Sequence, residues 1–222
     1  MERRTLLRSL GLAPLGALAC AGPALGDSQR RQQGDAARRV LEAALSFKSG
    51  GGYDTKWSGT GVPDEITHAG ERVLSKGTGG TYCCGFTFAV AMQALAAGNA
   101  LKGKSIADVR AFQKAWYGAT KETAERQCAQ AVERLGVGRE VPIEDARAGD
   151  FMQLWRASDK PSGHSVLFLS WIELDGQRVG FNYLSSQGST NGIGYNAEYF
   201  SDAALGRGRV DRKRLYCARI GT

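Results

Sequence analysis

The chain has 222 residues, of which 42% are hydrophobic and 23% charged, and its formal net charge is +7 at pH 7. These values are typical of a globular protein and exclude a disordered chain. A chain of this length can build a self-sufficient core, so we expect a single folded domain over residues 35–222.

Residues 1–26 have the pattern of an export signal. A short apolar stretch, 10–21, is followed by the small-residue cleavage site Ala24-Leu25-Gly26 and preceded by three basic residues, Arg3, Arg4 and Arg8. The apolar stretch is too short to serve as a permanent transmembrane anchor. The sequence therefore predicts an exported protein, periplasmic or extracellular.

The export route has three interpretations. The pair Arg3-Arg4 fits a twin-arginine signal. It fits equally well a general secretory signal that contains two arginines. A lipoprotein signal that ends at Cys20 is the weaker third option, because Ala17-Leu18-Ala19 matches that signal poorly.

Helices are predicted through the first half of the mature chain. Residues 27–34 are polar and are interpreted as a linker, and Asp35 then begins an amphipathic helix. The glycine-rich stretch 48–63 is predicted to be a loop. Further helices are predicted over 64–74, 83–97, 105–116 (with a capping box formed by Ser105 and Asp108) and 121–135.

Strands dominate the second half. They are predicted over 151–155, 165–174, 178–186 and 215–220, and an Asp175-Gly176 turn joins the second to the third. The polar stretch 185–194 is interpreted as a flexible loop, either one wall of a cleft or an ordinary surface loop. Helices followed by antiparallel strands predict an α+β fold, with N-terminal helices packed on a small antiparallel sheet.

Four cysteines remain after residue 26, namely Cys83, Cys84, Cys128 and Cys217. An even number outside the cytosol permits disulfides, and a bridge between Cys128 and Cys217 is one option. No Cys-x-x-Cys spacing occurs, so we expect no metal site.

Cys83 and His164 are the candidate catalytic residues. A helix beginning at Cys83 would favour its thiolate, because the N-terminal end of a helix attracts negative charge. His164 opens a buried strand, from which a fixed imidazole can exchange a proton with the sulfur. His68, the only other histidine, is placed outside the site, in a surface loop or helix. Each candidate also has a purely structural interpretation as a buried residue.

A catalytic histidine needs a polar partner that fixes its tautomer. The strand after His164 offers Asn182, Ser186 and Gln187. We favour Gln187 or Asn182, and strand alternation places these two on opposite faces, so at most one of them fits.

The segment Tyr82-Cys83-Cys84-Gly85-Phe86 resembles the Asp-Cys-Ser-Gly-Phe signature of the NlpC/P60 cysteine peptidases, a papain-like group related to the CHAP amidases. Two further segments resemble that family: Ala148-Gly149-Asp150-Phe151-Met152 its Gly-Asp turn, and Gly163-His164-Ser165-Val166 its histidine strand. These motifs are short and span roughly residues 80–190. The resemblance implies a papain-like fold and cofactor-free hydrolysis of amide bonds in peptidoglycan stem peptides.

The chain departs from the signature in two ways. Tyr82 replaces the aspartate before the nucleophile, and no histidine follows His164 to act as the third catalytic group. Tyr82 and Cys84, beside the nucleophile, are candidate substrate-binding residues, although Cys84 also fits a small buried position. Trp57, in the glycine-rich loop, is a candidate substrate platform.

Two other functions stay open. One is a non-catalytic envelope-binding module of the same fold, and the other is an amidase or acyltransferase that acts on a non-wall substrate. The C-terminal region is rich in basic residues: Arg207, Arg209, Arg212, Lys213, Arg214 and Arg219. They form either a patch that contacts an anionic envelope polymer or an ordinary solvated surface. No nucleic-acid-binding motif accompanies them, so a nucleic-acid partner is not expected.

Overall fold

The computed structural model describes residues 27–158, 162–203, 206 and 208–221. The helices in this part of the chain are α1 (Asp27–Ser46), α2 (Cys83–Ala97), α3 (Ile106–Trp116) and α4 (Cys128–Leu135). The strands are β1 (Gly50–Gly51), β2 (Ile66–His68), β3 (Glu71–Leu74), β4 (Gly138–Val141), β5 (Phe151–Arg156), β6 (Gly163–Leu174), β7 (Gln177–Gln187), β8 (Gly192–Tyr199) and β9 (Val210–Ile220).

Seven strands form one antiparallel sheet in the order β1-β8-β7-β6-β5-β9-β4. The remaining two, β2 and β3, form a separate hairpin. The predicted α+β class is therefore confirmed, whereas the sheet is larger than the small one expected. Strand β4 was missed because its charged Arg139 and Glu140 hide the strand pattern, and β8 because it begins with glycines.

The sheet separates two hydrophobic clusters. The larger cluster lies between the sheet and the helices, and the smaller one packs on the opposite face around Phe168, Phe181 and Phe200. Phe200, just after β8, bridges Val210 at the start of β9, although three strands lie between β8 and β9 in the sheet. The sheet must therefore curl around the smaller cluster.

Helix α2 is the central helix. Twelve of its fifteen residues are buried, as expected for a helix that is apolar on every side. It packs against α1 on one side and against β6 and β7 on the other. Its first residue is Cys83, where the sequence predicted a helix start. The capping box of Ser105 and Asp108 at the start of α3 is also confirmed.

The helix predicted over 64–74 is wrong. This segment is the β2–β3 hairpin, and its two central turn residues, Ala69 and Gly70, have φ values of 51° and 81°. Two successive positive φ values are typical of a type I′ turn, which suits a two-residue hairpin. Alanine at the first turn position conceals this signal in the sequence.

Two other boundaries differ from prediction. Helix α1 begins at Asp27, so the predicted linker 27–34 is helical, and Gln33 is buried where it accepts a hydrogen bond from Arg147 (3.1 Å). The helix predicted over 121–135 begins only at Cys128. Gln127 before it has a φ of 39°, which interrupts the helix.

The stretch 185–194, predicted to be a flexible loop, is largely part of the sheet. Strand β7 continues to Gln187, a single 3₁₀ turn spans Gly188–Thr190, and β8 begins at Gly192. Its polar side chains make local hydrogen bonds: Gln187 Nε2 donates to Thr190 Oγ1 (2.7 Å), and Thr190 Oγ1 donates to the Gly192 carbonyl (2.6 Å). The export signal predicted for residues 1–26 lies outside the described residues. Within the described part, no helix has the length and apolar character needed to cross a bilayer.

Candidate active site

Cys83 is the first residue of α2, directly after an extended Tyr82 (φ −139°, ψ 169°). The first amide groups of a helix lack intrahelical acceptors and carry partial positive charge. The side chain of Tyr82, the N-cap residue, makes no hydrogen bond to these amide groups. The sulfur of Cys83 is therefore placed in a local environment that favours its anionic form.

Gly85 allows the start of α2 to approach the loop before it. A Cβ atom at Gly85 would lie 2.2 Å from the carbonyl oxygen of Gly61, far inside van der Waals contact. The same carbonyl accepts the amide hydrogen of Tyr82 (3.2 Å). Close contact between two backbones thus fixes the position of the helix start, and glycine is the residue that permits it.

His164 lies in the first part of β6, which is not paired with β7. The β6–β7 pairing begins at Leu167 and Leu184. Nearer the start of β6, the Ser165 amide donates to the Cys83 sulfur, and the Ser165 carbonyl accepts the Ser185 hydroxyl (2.6 Å). Both backbone groups that a neighbouring strand would normally satisfy are used by the site instead.

The imidazole of His164 lies on the face of the sheet opposite to α2. Ser165, its neighbour, bonds to Thr87 of α2 (3.1 Å), and side chains alternate along a strand. The His164 ring accordingly packs edge-on against Tyr183 (5.6 Å between ring centroids). The imidazole is nevertheless near enough to the Cys83 sulfur to lower the pKa of that thiol.

The pKa of the Cys83 thiol is lowered well below its ordinary value, although burial acts in the opposite direction. The largest cause is a hydrogen bond from the neighbouring Cys84 thiol. The hydrogen bond and positive charge of His164 lower it further, as does the Ser165 amide. Cys83 therefore has the properties of an activated thiolate.

The pKa of Cys84 shifts the other way, well above its ordinary value. The bond to Cys83 is the main cause, and burial and the negative charge of Cys83 add to it. Ionisation of one of two neighbouring buried thiols disfavours ionisation of the other, and the direction of the two pKa shifts favours Cys83 as the one that ionises.

A network of buried hydrogen bonds surrounds the start of α2. The hydroxyl of Thr87 donates to the Cys83 carbonyl (3.0 Å) and accepts the indole hydrogen of Trp116 (3.1 Å). The Ser186 hydroxyl shares a hydrogen bond with Thr81 (2.7 Å), two residues before Cys83. These contacts tie α2 to β6 and β7. Sequence reasoning missed Thr87 and weighed Ser186 only as a partner of the histidine.

Gln187 and His164 each have a buried polar atom with no hydrogen-bond partner among the described residues, Oε1 and Nε2 respectively. Continued three residues past Leu167 and Leu184, the strand register brings His164 opposite Gln187. The amide nitrogen of Gln187 is held by Thr190 (2.7 Å). Its oxygen therefore remains as the acceptor.

Asn182, the other candidate partner, lies elsewhere. It is exposed, pairs across the sheet with Ser170 and donates to that hydroxyl (3.1 Å). Ser170 is six residues beyond His164, which is about 20 Å along a strand. Gln187 therefore lies at the end of β7 nearest the start of β6, where His164 is, and Asn182 lies away from the site.

Two aromatic residues lie beside the helix start. Tyr82 is buried, and its hydroxyl donates to the Gly59 carbonyl (2.9 Å). Trp57 is 55% exposed and stacks on the Tyr82 ring at 5.2 Å. Trp57 is thus held next to the start of α2 with an exposed face, as a substrate platform would require.

An ion pair between Arg156 and Glu198 lies near the site. The sequence analysis did not predict it. The charges of Arg156 and Cys83 both influence the pKa of Tyr53, which burial raises to about 12, and that of Tyr183, which burial also raises. Both tyrosines therefore lie within electrostatic range of Arg156 and of Cys83. No short motif marks these residues, because they come from separate strands and a loop.

The other sequence candidates lie outside this site. His68 is on β2, where its Nε2 contacts the Lys104 carbonyl (2.8 Å). Cys128 and Cys217 are buried free thiols, and burial raises the pKa of Cys128 to about 12 and that of Cys217 well above its ordinary value. The option of a Cys128–Cys217 bridge is therefore not realised in this structure.

Much of the C-terminal basic charge is neutralised. Three of the arginines form ion pairs: Arg212 with Asp202, Arg214 with Glu125, and Arg219 with Asp150. The Arg219 pair is buried and bidentate. It anchors the turn that resembles the Gly-Asp motif. Less positive charge is therefore free for an anionic polymer than the sequence suggests.

No family model, curated protein or solved structure matches the chain. The geometry of the site must therefore support any functional assignment.

Proposed function

We propose that the protein is an exported papain-like cysteine hydrolase that cleaves amide bonds, with Cys83 as nucleophile and His164 as general acid and base. One observation carries this proposal: Cys83 is the first residue of α2, and the pKa of its thiol is lowered well below its ordinary value, with Cys84, His164 and Ser165 among the groups that lower it. Burial alone would raise the pKa of a structural thiol in a core. Cys128 and Cys217, by contrast, are buried with raised pKa values.

The reaction follows from this arrangement. The Cys83 thiolate attacks the carbonyl carbon of the scissile amide, and the electron pair of the C=O bond moves to the oxygen. Amide groups at the start of α2, including that of Cys83, stabilise this oxyanion. The imidazolium of His164 gives its proton to the leaving amine as the C–N bond breaks, which leaves a thioester on Cys83.

Water completes the cycle. Neutral His164 takes a proton from a water molecule, whose oxygen attacks the thioester carbonyl. The C–S bond breaks, the acid product leaves, and the thiolate and imidazolium are restored. No metal or cofactor takes part in these steps.

Gln187 is the third member of the site in this proposal. The buried Nε2 of His164 has no partner among the described residues, so in this proposal Nδ1 exchanges the proton with Cys83. The free Oε1 of Gln187 then accepts the Nε2 hydrogen when the two side chains approach. This bond holds the ring in the tautomer that the reaction needs.

We infer that the substrate is a peptidoglycan stem peptide. The support is the resemblance of three motifs to the NlpC/P60 family together with the export signal predicted at residues 1–26. Trp57, stacked on the buried Tyr82 ring, offers an exposed aromatic surface beside the nucleophile, whereas Tyr82 itself is only 5% exposed. Cys84 is too buried, at 6% exposure, to offer much contact to a substrate.

Digestion of purified peptidoglycan tests this function. The mature protein is incubated with peptidoglycan, and the released fragments are identified by mass spectrometry, with Cys83→Ala as the matched control. We expect new amino and carboxyl ends within the stem peptides for the wild type and none for Cys83→Ala. A wild-type protein that releases nothing from peptidoglycan but hydrolyses other amides would leave the chemistry intact and refute the substrate.

A non-catalytic binding module is the second candidate, and the burial of the site favours it. Cys83 and His164 are each only 5% exposed, which leaves a narrow route for substrate. Under this alternative, the wild type and Cys83→Ala bind peptidoglycan equally well in a sedimentation assay, and neither releases fragments.

A further inference from the structure

Residues 54–59 form a loop, here called the Trp57 loop, that presents an aromatic side chain beside the start of α2. We propose that Asp54 is a positioning residue whose buried carboxylate holds this loop so that the Trp57 ring forms a subsite for the apolar face of a substrate group. This inference rests on the proposed function, in which Cys83 attacks the substrate. It goes beyond that function because it names the residue that fixes the subsite.

The Asp54 carboxylate is bonded to the backbone of its own loop. Its Oδ1 accepts the amide hydrogen of Lys56 (3.0 Å), and its Oδ2 accepts those of Ser58 (3.0 Å) and Gly59 (3.2 Å). Asp54 is only 5% exposed, and a buried carboxylate is stable where several donors surround it. These amides lie on both sides of Trp57 in the chain, so one carboxylate fixes the backbone that carries the ring.

The backbone of Trp57 has a conformation that needs such support. Its φ is 55°, in the left-handed region that glycine adopts without cost and that a bulky residue rarely adopts. A strained residue persists only where its surroundings impose the conformation. The ring is 55% exposed, so packing in the core does not account for a tryptophan at this position. The exposed aromatic surface does.

The loop directs the Trp57 ring onto Tyr82, the residue before the proposed nucleophile. The two rings stack with their centroids 5.2 Å apart and their planes at 17°. At the start of the loop, the Asp54 amide donates to the Thr81 carbonyl (3.0 Å). At its end, the Gly59 carbonyl accepts the Tyr82 hydroxyl hydrogen (2.9 Å). The second face of Trp57 is thus a fixed apolar surface, which suits stacking with an apolar or planar group.

A double-mutant cycle tests this role. The kcat and KM are measured for the wild type, Asp54→Asn, Trp57→Ala and the double variant, with soluble peptidoglycan fragments as substrate. Asparagine keeps the size of the side chain but replaces the Oδ2 acceptor by a donor. In Trp57→Ala we expect kcat/KM to fall about tenfold, mainly through KM, which is the factor that an aromatic contact supplies.

Asp54→Asn alone should lower kcat/KM about three- to tenfold, again through KM. In the Trp57→Ala background it should cost less than about twofold, because it acts through Trp57. Asp64→Asn, at an exposed ion pair with Lys76 (3.3 Å), is the matched control and should have wild-type kinetics. Equal losses from Asp54→Asn in both backgrounds would overturn the proposal, as would wild-type kinetics in Trp57→Ala.

Near-ultraviolet circular dichroism tests the same coupling without substrate. The ordered Trp57 ring contributes the difference between the spectra of the wild type and Trp57→Ala. Asp54→Asn should lose that contribution while its far-ultraviolet spectrum stays unchanged. A near-ultraviolet spectrum of Asp54→Asn identical to that of the wild type would refute the positioning role.

Hydrogen exchange in the wild type, measured by NMR, is the second test if Asp54→Asn does not fold. The amides of Lys56, Ser58 and Gly59 should be protected, because each donates to Asp54. Exchange of these amides at the rate of an unstructured loop would overturn the proposal.

The two kinds of measurement separate this inference from the proposed function. A wild type that hydrolyses nothing, with the spectral difference and the protected amides intact, refutes the hydrolase. Binding of the same fragments, measured by calorimetry, then takes the place of KM in the cycle. Hydrolysis with an unchanged KM in Trp57→Ala refutes the subsite and leaves the role of Cys83 standing.

Discussion

Replacement of Gly85 by alanine is the most informative single change, because it moves the start of α2 without altering Cys83 or His164, the proposed catalytic residues. The new Cβ would lie 2.2 Å from the Gly61 oxygen and 2.3 Å from its carbonyl carbon. Both obstructing atoms belong to the backbone, so no side-chain rotation relieves the overlap. The loop or the start of α2 has to move.

The size of that movement follows from the same distances. Ordinary van der Waals contact begins at 3.4 Å, so the 2.2 Å approach must open by about 1.2 Å. Overpacking of this kind costs about 1–3 kcal/mol of unfolding free energy, or a melting temperature lower by about 2–12 °C in a domain of this size. A displacement near 1 Å also costs roughly a hundredfold in rate when it misaligns reacting groups.

Thermal unfolding and the rate of peptidoglycan hydrolysis measure the two effects. Gly34→Ala is the control, because Gly34 is also helical and a Cβ there meets no atom within 4 Å. Alanine at Gly34 should stabilise the protein by up to about 1 kcal/mol and leave the rate unchanged. A Gly85→Ala protein with the wild-type melting temperature and rate would refute the close approach and the role assigned to the glycine.

Two further comparisons use paired variants. In steady-state kinetics, Gln187→Ala should lower the rate of hydrolysis at least about tenfold, because a misoriented imidazole loses part of the ~10²–10⁴-fold acceleration that acid-base catalysis supplies. Asn182→Ala should have the wild-type rate. Equal losses in the two variants would refute the choice of Gln187. In urea unfolding Asp150→Ala should cost about 3–5 kcal/mol, because it strands the buried charge of Arg219. Asp202→Ala, at an exposed ion pair, should cost no more than about 1 kcal/mol, and similar costs for the two would contradict the burial argument.

The sequence was sufficient for the elements with local signals. The apolar run after Cys83 predicted α2, and Asp175-Gly176 predicted the β6–β7 hairpin, whose two turn residues have positive φ values of 50° and 74°. The capping pair Ser105 and Asp108 likewise placed the start of α3. Each of these signals lies within a few residues of the structure that it determines.

The failures arise where distant contacts decide the structure. Residues 27–34 carry a linker composition, yet they continue α1, and Gln33 is buried against Arg147. The segment 64–74 has an acceptable helix composition, but Ala69 adopts a left-handed conformation that only the hairpin explains. Composition alone does not contain this information.

The candidate site shows the same division. The order of Cys83 and His164 along the chain was enough to pair them in prediction. The unpaired start of β6, where His164 lies, depends on strand register, as does the position of Gln187 at the nearest end of β7. The choice between Gln187 and Asn182 therefore required coordinates, and so did the electrostatic coupling of the two adjacent thiols.

Site mapping of alkylation at low pH tests the central claim most directly. The folded wild-type protein is treated with limiting iodoacetamide at pH 6, and tandem mass spectrometry locates the label within the Tyr82-Cys83-Cys84 segment. The thiolate arrangement predicts labelling of Cys83, with Cys84, Cys128 and Cys217 unmodified, and a marked loss of labelling in His164→Ala. Label on Cys84 instead, or no reaction of any thiol below pH 8, would contradict the claim that Cys83 is the activated nucleophile.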